Sequence, residues 1–210
     1  ESTIIMSEKF TTIEQHASYG VGRQLGEQLA ANSFEGIDIS AVQVGLSDAF
    51  DGKESAVSMQ DLQTAFTEIS QRIQKVQEEA AAVASAEGDT FLAENQKRDG
   101  VVTLESGLQY EIINEGNGDK PGYDSTVRTH YHGTFISGDV FDSSVLRDQP
   151  AEFSVSGVIA GWTEALQLMP VGAKWKLYVP HHLAYGERGA GASIPPYSAL
   201  VFEVELLDII

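Results

Sequence analysis

The sequence contains no cysteine. Disulfides, thiolate metal sites and thiol nucleophiles are therefore excluded, and cysteine usage leaves the redox compartment open. Positive charge is scarce: 13 Lys and Arg face 31 Asp and Glu, for a formal net charge of −18. The deficit is spread along the chain, with 7 basic and 17 acidic residues in 1–100 and 6 and 14 in 101–210. A surface of this sign repels nucleic acid and anionic lipid, and no basic stripe reverses it locally, so neither is an expected partner. No apolar run approaches the ~20 residues needed to cross a bilayer. The opening "ESTIIMSEKF" lacks the basic and long apolar regions of a secretory signal. Met6 followed by Ser7 reads as a natural start, with Glu1 to Ile5 as a cloning remnant. The expected compartment is the cytoplasm, with the periplasm as the alternative if a signal has been removed. Proline is also missing from the first hundred residues, whereas all six prolines fall after them.

That last absence divides the chain. Residues 1–100 read as helical and residues 101–210 as strand-rich, an α+β protein of two domains. In the first half, Thr11 with Glu14 and Ser40 with Gln43 have the spacing of capping boxes. Ser58 followed by Asp61 marks a third helix start. Gly36 and Gly52 fall where the first two helices should have ended. The third helix, expected over about 58–98, carries Met59, Leu62, Phe66, Ile69, Ile73, Val76, Ala80 and Val83 at alternating steps of three and four. This is a heptad seam that needs a partner along its length. Beyond Val83 the seam fades, which suggests a more exposed stalk. Gly22 and Gly26 share a face of the first helix and would let another helix approach closely. Packing within a three-helix domain and dimerisation both fit. Dimerisation is preferred, because short amphipathic helices bury little alone and two copies would cover each other's seams.

In the second half, "LQYEIIN" (108–114), "VRTHYHGTF" (127–135), "AKWKLYV" (173–179) and "ALVFEVELLDI" (199–209) alternate with period two. They predict an antiparallel sheet with one face buried. Trp162, Ala165, Leu166 and Met169 lie at helical spacing, and Pro170 to Gly172 end that helix. The expected architecture is a sheet covering one short helix.

Three chemistries were weighed for this domain. The loop "YGERGAGASIPP" (185–196) is glycine-rich, but a phosphate loop must run into a helix whose N–H groups hold the anion. This one runs through two prolines into a strand. His130 with His132 and His181 with His182 could ligate zinc only with a further ligand, and none completes the set; they read as surface histidines, and no metal or cofactor is expected. Ser143 and Ser144 after Asp142 do not form a nucleophile elbow and read as turn serines. What remains is apolar: Tyr131, Phe141, Phe153, Val158, Ile159, Trp162, Tyr185, Ile194 and Phe202 are each explicable as core, but together they exceed the needs of so small a core.

"HYHGTFISGDVFDSS", "FSVSGVIAGWTEALQLMPVGAKWKLYVP" and "LAYGERGAGASIPPYSALVFEVELL" resemble the FKBP family of peptidyl-prolyl cis–trans isomerases from about residue 107 to the C-terminus. The helical first half resembles the amino-terminal part of the two-domain bacterial Mip-like group, in its cytoplasmic branch. The resemblance implies homodimers joined through the N-terminal helices. It implies action on X–Pro bonds of unfolded or partly folded protein chains, with macrolides as inhibitors. A holdase-type chaperone or scaffold, with isomerisation secondary, is the alternative function. Carried onto this sequence, the resemblance makes Trp162 the floor of a pocket walled by Tyr131, Phe141, Phe153, Val158, Ile159 and Phe202. Asp142 becomes a buried acid, with Arg147 as its partner. The Ile159 N–H and the Tyr185 hydroxyl become donors to ligand, and residues 186–196 a flap with Ile194 pointing inward. Ala151 and Ala190 depart from the family's small members, which often carry an aromatic residue and a histidine there; this bears on macrolide affinity and on the preference for the residue before proline.

Overall fold

The computed structural model describes residues 9–210; the expected start at Met6 and the leader Glu1 to Ile5 lie outside the described residues. Helix α1 (Ile13–Asn32) is capped by Thr12, whose side chain accepts the Gln15 N–H. The box sits one residue later than the Thr11–Glu14 pairing, because the Gln15 amide oxygen accepts the N–H groups of both Thr11 and Thr12, at 2.8 and 3.2 Å. Helix α2 (Ile39–Phe50) is capped by Asp38 rather than Ser40. The Asp38 carboxylate accepts from the Ser40 and Ala41 N–H groups at 2.9 and 3.2 Å, and a charged acceptor at a helix N-terminus outcompetes a hydroxyl. Helix α3 (Met59–Asn95) starts where expected, with the Asp61 N–H bonded to Ser58 Oγ at 3.0 Å. Gly36 and Gly52 hold the left-handed turns after α1 and α2.

Contacts divide the chain inside α3: one compact unit ends at Lys75 and the other spans Val76–Ile210. The sequence had suggested a division near residue 100. In the first unit, no residue from Lys9 to Lys75 is buried. The seam residues Met59, Phe66 and Ile73 are exposed, Phe66 by 65%. Among the described residues, a Cβ added at Gly22 or Gly26 would meet nothing within 4 Å beyond its own helix, and both border a groove of about 580 Å³ with Leu25, Ile39 and Leu46.

In the second unit the end of α3 is no exposed stalk. A Cβ placed on Gly88 would stand 3.3 Å from the Ala199 side chain, and Asn95 is buried. Asn95 donates to Gln109 at 2.8 Å, and Gln109 donates to the Leu92 carbonyl at 2.9 Å. Arg98, just past the helix, pairs with Glu111 at 2.9 Å and reaches the Tyr178 hydroxyl at 3.1 Å. Phe91 also faces the Tyr178 ring, with centroids 6.0 Å apart, so the helix end docks through a mixture of apolar and polar contacts in place of a continued heptad.

The strands are β1 (Val102–Thr103), β2 (Gln109–Asn114), β3 (Thr126–Phe135), β4 (Val140–Ser143), β5 (Ala151–Ser154), β6 (Lys174–Val179) and β7 (Leu200–Ile209). They form one antiparallel sheet ordered β1-β2-β6-β7-β3-β4, with β5 also pairing β3. Its apolar face covers α4 (Ala160–Leu168), which buries Gly161, Trp162, Ala165 and Leu166 against Leu177, Val179, Val204 and Leu206. β3, β6 and β7 follow the alternation in the sequence, whereas β2 does not, with Gln109 buried and Ile112 and Ile113 exposed. The short β1, β4 and β5 have too few residues to show a period.

Two of these short strands share one edge of β3: β5 covers residues 126–129 and β4 covers 132–134. The position between them falls to Ser144. Its N–H donates to the Tyr131 carbonyl at 2.9 Å, and its hydroxyl accepts the Tyr131 N–H at 2.7 Å. Both backbone groups of Tyr131 are thereby satisfied where no strand reaches. Ser143 and Ser144, read as turn serines from sequence, are buried.

Candidate active site

Trp162 sits in the first turn of α4 because Gly161 lets the helix start close to the sheet. A Cβ on Gly161 would lie 2.7 Å from the Val179 side chain, which no real Cβ tolerates. The Ile159 carbonyl accepts the N–H groups of Trp162 and Thr163, at 3.0 and 3.1 Å, and the Ile159 N–H takes no backbone partner. Thr163 Oγ1 donates to the Val155 carbonyl at 2.6 Å, fixing the helix start to the preceding turn.

Three rings stand nearly perpendicular to the indole. Tyr131, Phe153 and Phe202 have centroids 5.4, 5.4 and 5.3 Å from it, at interplanar angles of 77°, 82° and 84°. Phe141 continues the wall edge-to-face with Phe202 at 5.5 Å. Edge-to-face pairs are favoured by the ring quadrupoles, so each ring fixes the tilt of the next. Trp162 is only 4% exposed, while Phe141, Phe153, Val158 and Ile159 above it remain half-buried. The indole is therefore the buried end of the cluster, and these four half-buried side chains form its more exposed rim.

Asp142 is the charged group at that rim. The Tyr131 hydroxyl donates to Asp142 Oδ2 at 2.5 Å, Arg147 donates to Oδ1, and Arg147 Nη2 also reaches the Tyr131 hydroxyl at 2.9 Å. The sequence reading of a buried acid needs correction, because the side chain is 43% exposed. Burial works against its charge, but the hydrogen bonds from Tyr131 and Arg147 outweigh it and hold the carboxyl below its ordinary range. Tyr131 moves the other way, raised first by burial and then by its bond to Asp142. At neutral pH the trio is thus a carboxylate, a neutral phenol and a guanidinium. A carboxylate stabilised in this way is a poor base, which argues against proton transfer here.

In the flap, Ala190 and Ile194 form a bridge with bonds of 2.8 and 3.1 Å, and Ile194 is buried. Gly189 has φ +65°, and a Cβ there would lie 2.2 Å from the Ile194 carbonyl oxygen. Glycine is required here because the loop folds back on its own backbone at residues 194–196. Tyr185 stands apart from the rings and is 41% exposed. Ala151 and Ala190 both pack half-buried against the core. Sequence reasoning missed the bonds of His130 and His132 to Ser144 and Ser143, at 3.0 and 2.8 Å. Only the adjacency of "HYH" and "DSS" across a hairpin could have signalled them. Among the described residues no group of three His, Cys, Asp or Glu could hold a metal ion, and no helix is long and apolar enough to cross a membrane.

Comparison with known proteins bears on the family and the fold. A family model described as FKBP-type peptidyl-prolyl cis-trans isomerase matches residues 118–207, and one for the domain amino terminal to such isomerases matches residues 14–112. The chain is 53% identical to the FKBP-type 22 kDa peptidyl-prolyl cis-trans isomerase of Escherichia coli, covering 96% of this chain and 98% of the relative. It is 38% identical to the outer membrane protein MIP of Legionella longbeachae, over 95% of this chain and 87% of that one. The crystal structure of FkpA from Escherichia coli aligns with a TM-score of 0.70 at 36% identity, covering 95% of this chain and 98% of that chain.

Proposed function

The chain belongs to the FKBP-type peptidyl-prolyl cis-trans isomerases, and we propose that it turns X–Pro bonds in the hollow floored by Trp162. The observation that carries this assignment is the indole surrounded by three perpendicular rings below a rim of half-buried side chains. Rotation about a prolyl amide breaks resonance against a barrier of ~18–20 kcal/mol. The planar amide is polar and well hydrated, whereas the twisted one has lost charge separation between nitrogen and oxygen. An apolar hollow that strips water from the amide therefore favours the twisted state, which is selective binding of the transition state. Each tenfold acceleration needs ~1.4 kcal/mol of such preference. No nucleophile or proton transfer is required, consistent with the pairing of Asp142 with Tyr131 and Arg147.

In this proposal Trp162, Phe141, Asp142, Tyr185 and Ile159 act on the amide, the last two through the phenol and the backbone N–H. Tyr131, Arg147, Phe153, Val158, Ile194 and Phe202 shape the space for the prolyl ring. The pair Asp142–Arg147 holds the Tyr131 ring upright beside the indole. The assay is cis-to-trans conversion of a short X–Pro peptide. Trp162→Ala is expected to lower kcat/KM at least tenfold, and Phe141→Ala, at a half-exposed position that spares folding, to lower it by a smaller factor. Activity equal to wild type in both folded variants would refute the site.

We further propose that residues 1–100 form a homodimerisation domain. A helical unit that buries none of its residues from Lys9 to Lys75 has no core of its own, and a second copy would cover the Phe66 seam and the groove at Gly22 and Gly26. Two linked sites would capture proline-containing unfolded chains more strongly than one. The holdase reading predicts suppression of client aggregation that survives Trp162→Ala; loss of suppression in that variant counts against it. Macrolide ligands would occupy the same hollow and compete with peptide. We place the protein in the cytoplasm, and its recovery from a periplasmic extract would overturn that placement.

A further inference from the structure

Three consecutive residues of β3 hold three consecutive residues at the end of β4. The Tyr131 hydroxyl bonds Asp142, His132 Nδ1 bonds Ser143 Oγ at 2.8 Å, and His130 Nδ1 bonds Ser144 Oγ at 3.0 Å. Strand alternation separates these contacts between the two faces of the sheet. Tyr131 lies with the rings on the inner face. His130 and His132 lie on the outer face, across from Glu205 and Glu203 of β7, with Lys174 and Lys176 of β6 beyond them.

The serines link the two faces. Ser144 Oγ donates its one proton to the Tyr131 carbonyl at 3.2 Å and accepts the Tyr131 N–H at 2.7 Å. His130 Nδ1 bonds the same hydroxyl at 3.0 Å. Ser143 Oγ accepts the Leu146 N–H at 3.2 Å, and the Ser144 carbonyl accepts the Gln149 N–H at 3.2 Å. The loop that presents Arg147 thus hangs from the Ser143 hydroxyl and the Ser144 carbonyl, and each serine hydroxyl is bonded by an imidazole on the outer face. Those imidazoles border a groove of about 250 Å³ with Val145 and Leu146 of the same loop.

We propose that His130 and His132 are positioning residues for the isomerase site: from the outer face of the sheet, through Ser144 and Ser143, they fix where Asp142 and Arg147 stand at the rim. The inference rests on the reading of Asp142 as part of the site. Neither histidine touches the hollow, so their effect on catalysis is indirect.

The test uses the full chain and the X–Pro peptide assay. Asparagine places its amide where Nδ1 stands, and glutamine places it near Nε2, one bond further out. His130→Gln is expected to lower kcat/KM roughly five- to tenfold, the scale of one lost hydrogen bond at a positioned group, with little change in melting temperature. His130→Asn should recover most of that loss, and His132 should behave in the same way. In an Asp142→Asn background, His130→Gln should cost nothing further, because both changes release the same group. Equal losses for asparagine and glutamine, or losses that add fully to Asp142→Asn, would overturn the proposal while leaving the site intact. If Asp142→Asn alone left activity unchanged, the site reading itself would fail, and this inference with it.

Discussion

Gly133→Ala tests the hollow through its wall. Gly133 lies on β3 opposite Phe202 of β7, on the inner face. An added Cβ would stand 2.7 Å from the Phe141 ring and 2.9 Å from the Phe202 ring. Restoring ordinary contact at 3.4 Å requires Phe141 to retreat by about 0.7 Å. Phe202, at 2.9 Å and buried against Trp162, must also give by about 0.5 Å, while the half-exposed Phe141 takes the larger shift. Overpacking of this kind costs about 1–3 kcal/mol, and alanine in place of a strand glycine returns about 0.5–1 kcal/mol. The mid-range values leave a net loss of about 1 kcal/mol (range about 0–2.5), or a fall of roughly 2–4 °C in melting temperature. Misplacing a contact group by ~1 Å can cost up to ~100-fold in rate, so kcat/KM should fall about tenfold in protein that remains folded. Melting followed by circular dichroism and the X–Pro peptide assay measure the two effects. Gly122→Ala is the control, since its Cβ would meet only Ser125 Oγ at 3.9 Å. If Gly133→Ala matched this control in both melting temperature and activity, Phe141 would not be a wall of the site.

Glu111 has its carboxyl pKa lowered by the Tyr178 hydroxyl, against burial, with the Arg98 charge helping. A lowered folded-state pKa stabilises the fold above the unfolded carboxyl value of ~4.3, and this contribution is lost as pH falls through the folded value. Glu111→Gln should therefore unfold at lower urea than wild type near neutral pH, with the gap closing in acid; a gap that persists in acid refutes the ionic account. Residues 101–210 lack Asn95 and Arg98 and should melt below Val76–Ile210, which keeps the end of α3; equal melting would show that the helix end contributes nothing. Wild type should scatter light at twice the chain mass, and Phe66→Glu at the mass of one chain. A wild-type monomer at micromolar concentration removes the dimer proposal.

The sequence by itself determined the layers. Period two in β3, β6 and β7 and helical spacing through Trp162 to Met169 follow from one apolar face per element, a signal carried by neighbours in the chain. It also excluded phosphate chemistry, because the glycines of the flap lead into Pro195 and Pro196 and not into a helix. Only the tertiary structure decided what depends on residues far apart in the chain. Gln15 and Asp38 took over caps that spacing alone gave to Glu14 and Ser40, since several nearby side chains compete for the same N–H groups. The end of α3 packs through Gly88, Phe91, Asn95 and Arg98, where a glycine and two polar residues interrupt the hydrophobic period. Asp142 proved half-exposed because Arg147, five residues on, folds back to pair with it at the rim. Ser143 and Ser144 read as turn serines until β3 brought Tyr131 and its two flanking histidines alongside. Periodicity reports which face a side chain takes, and only the folded sheet decides which partner it meets there.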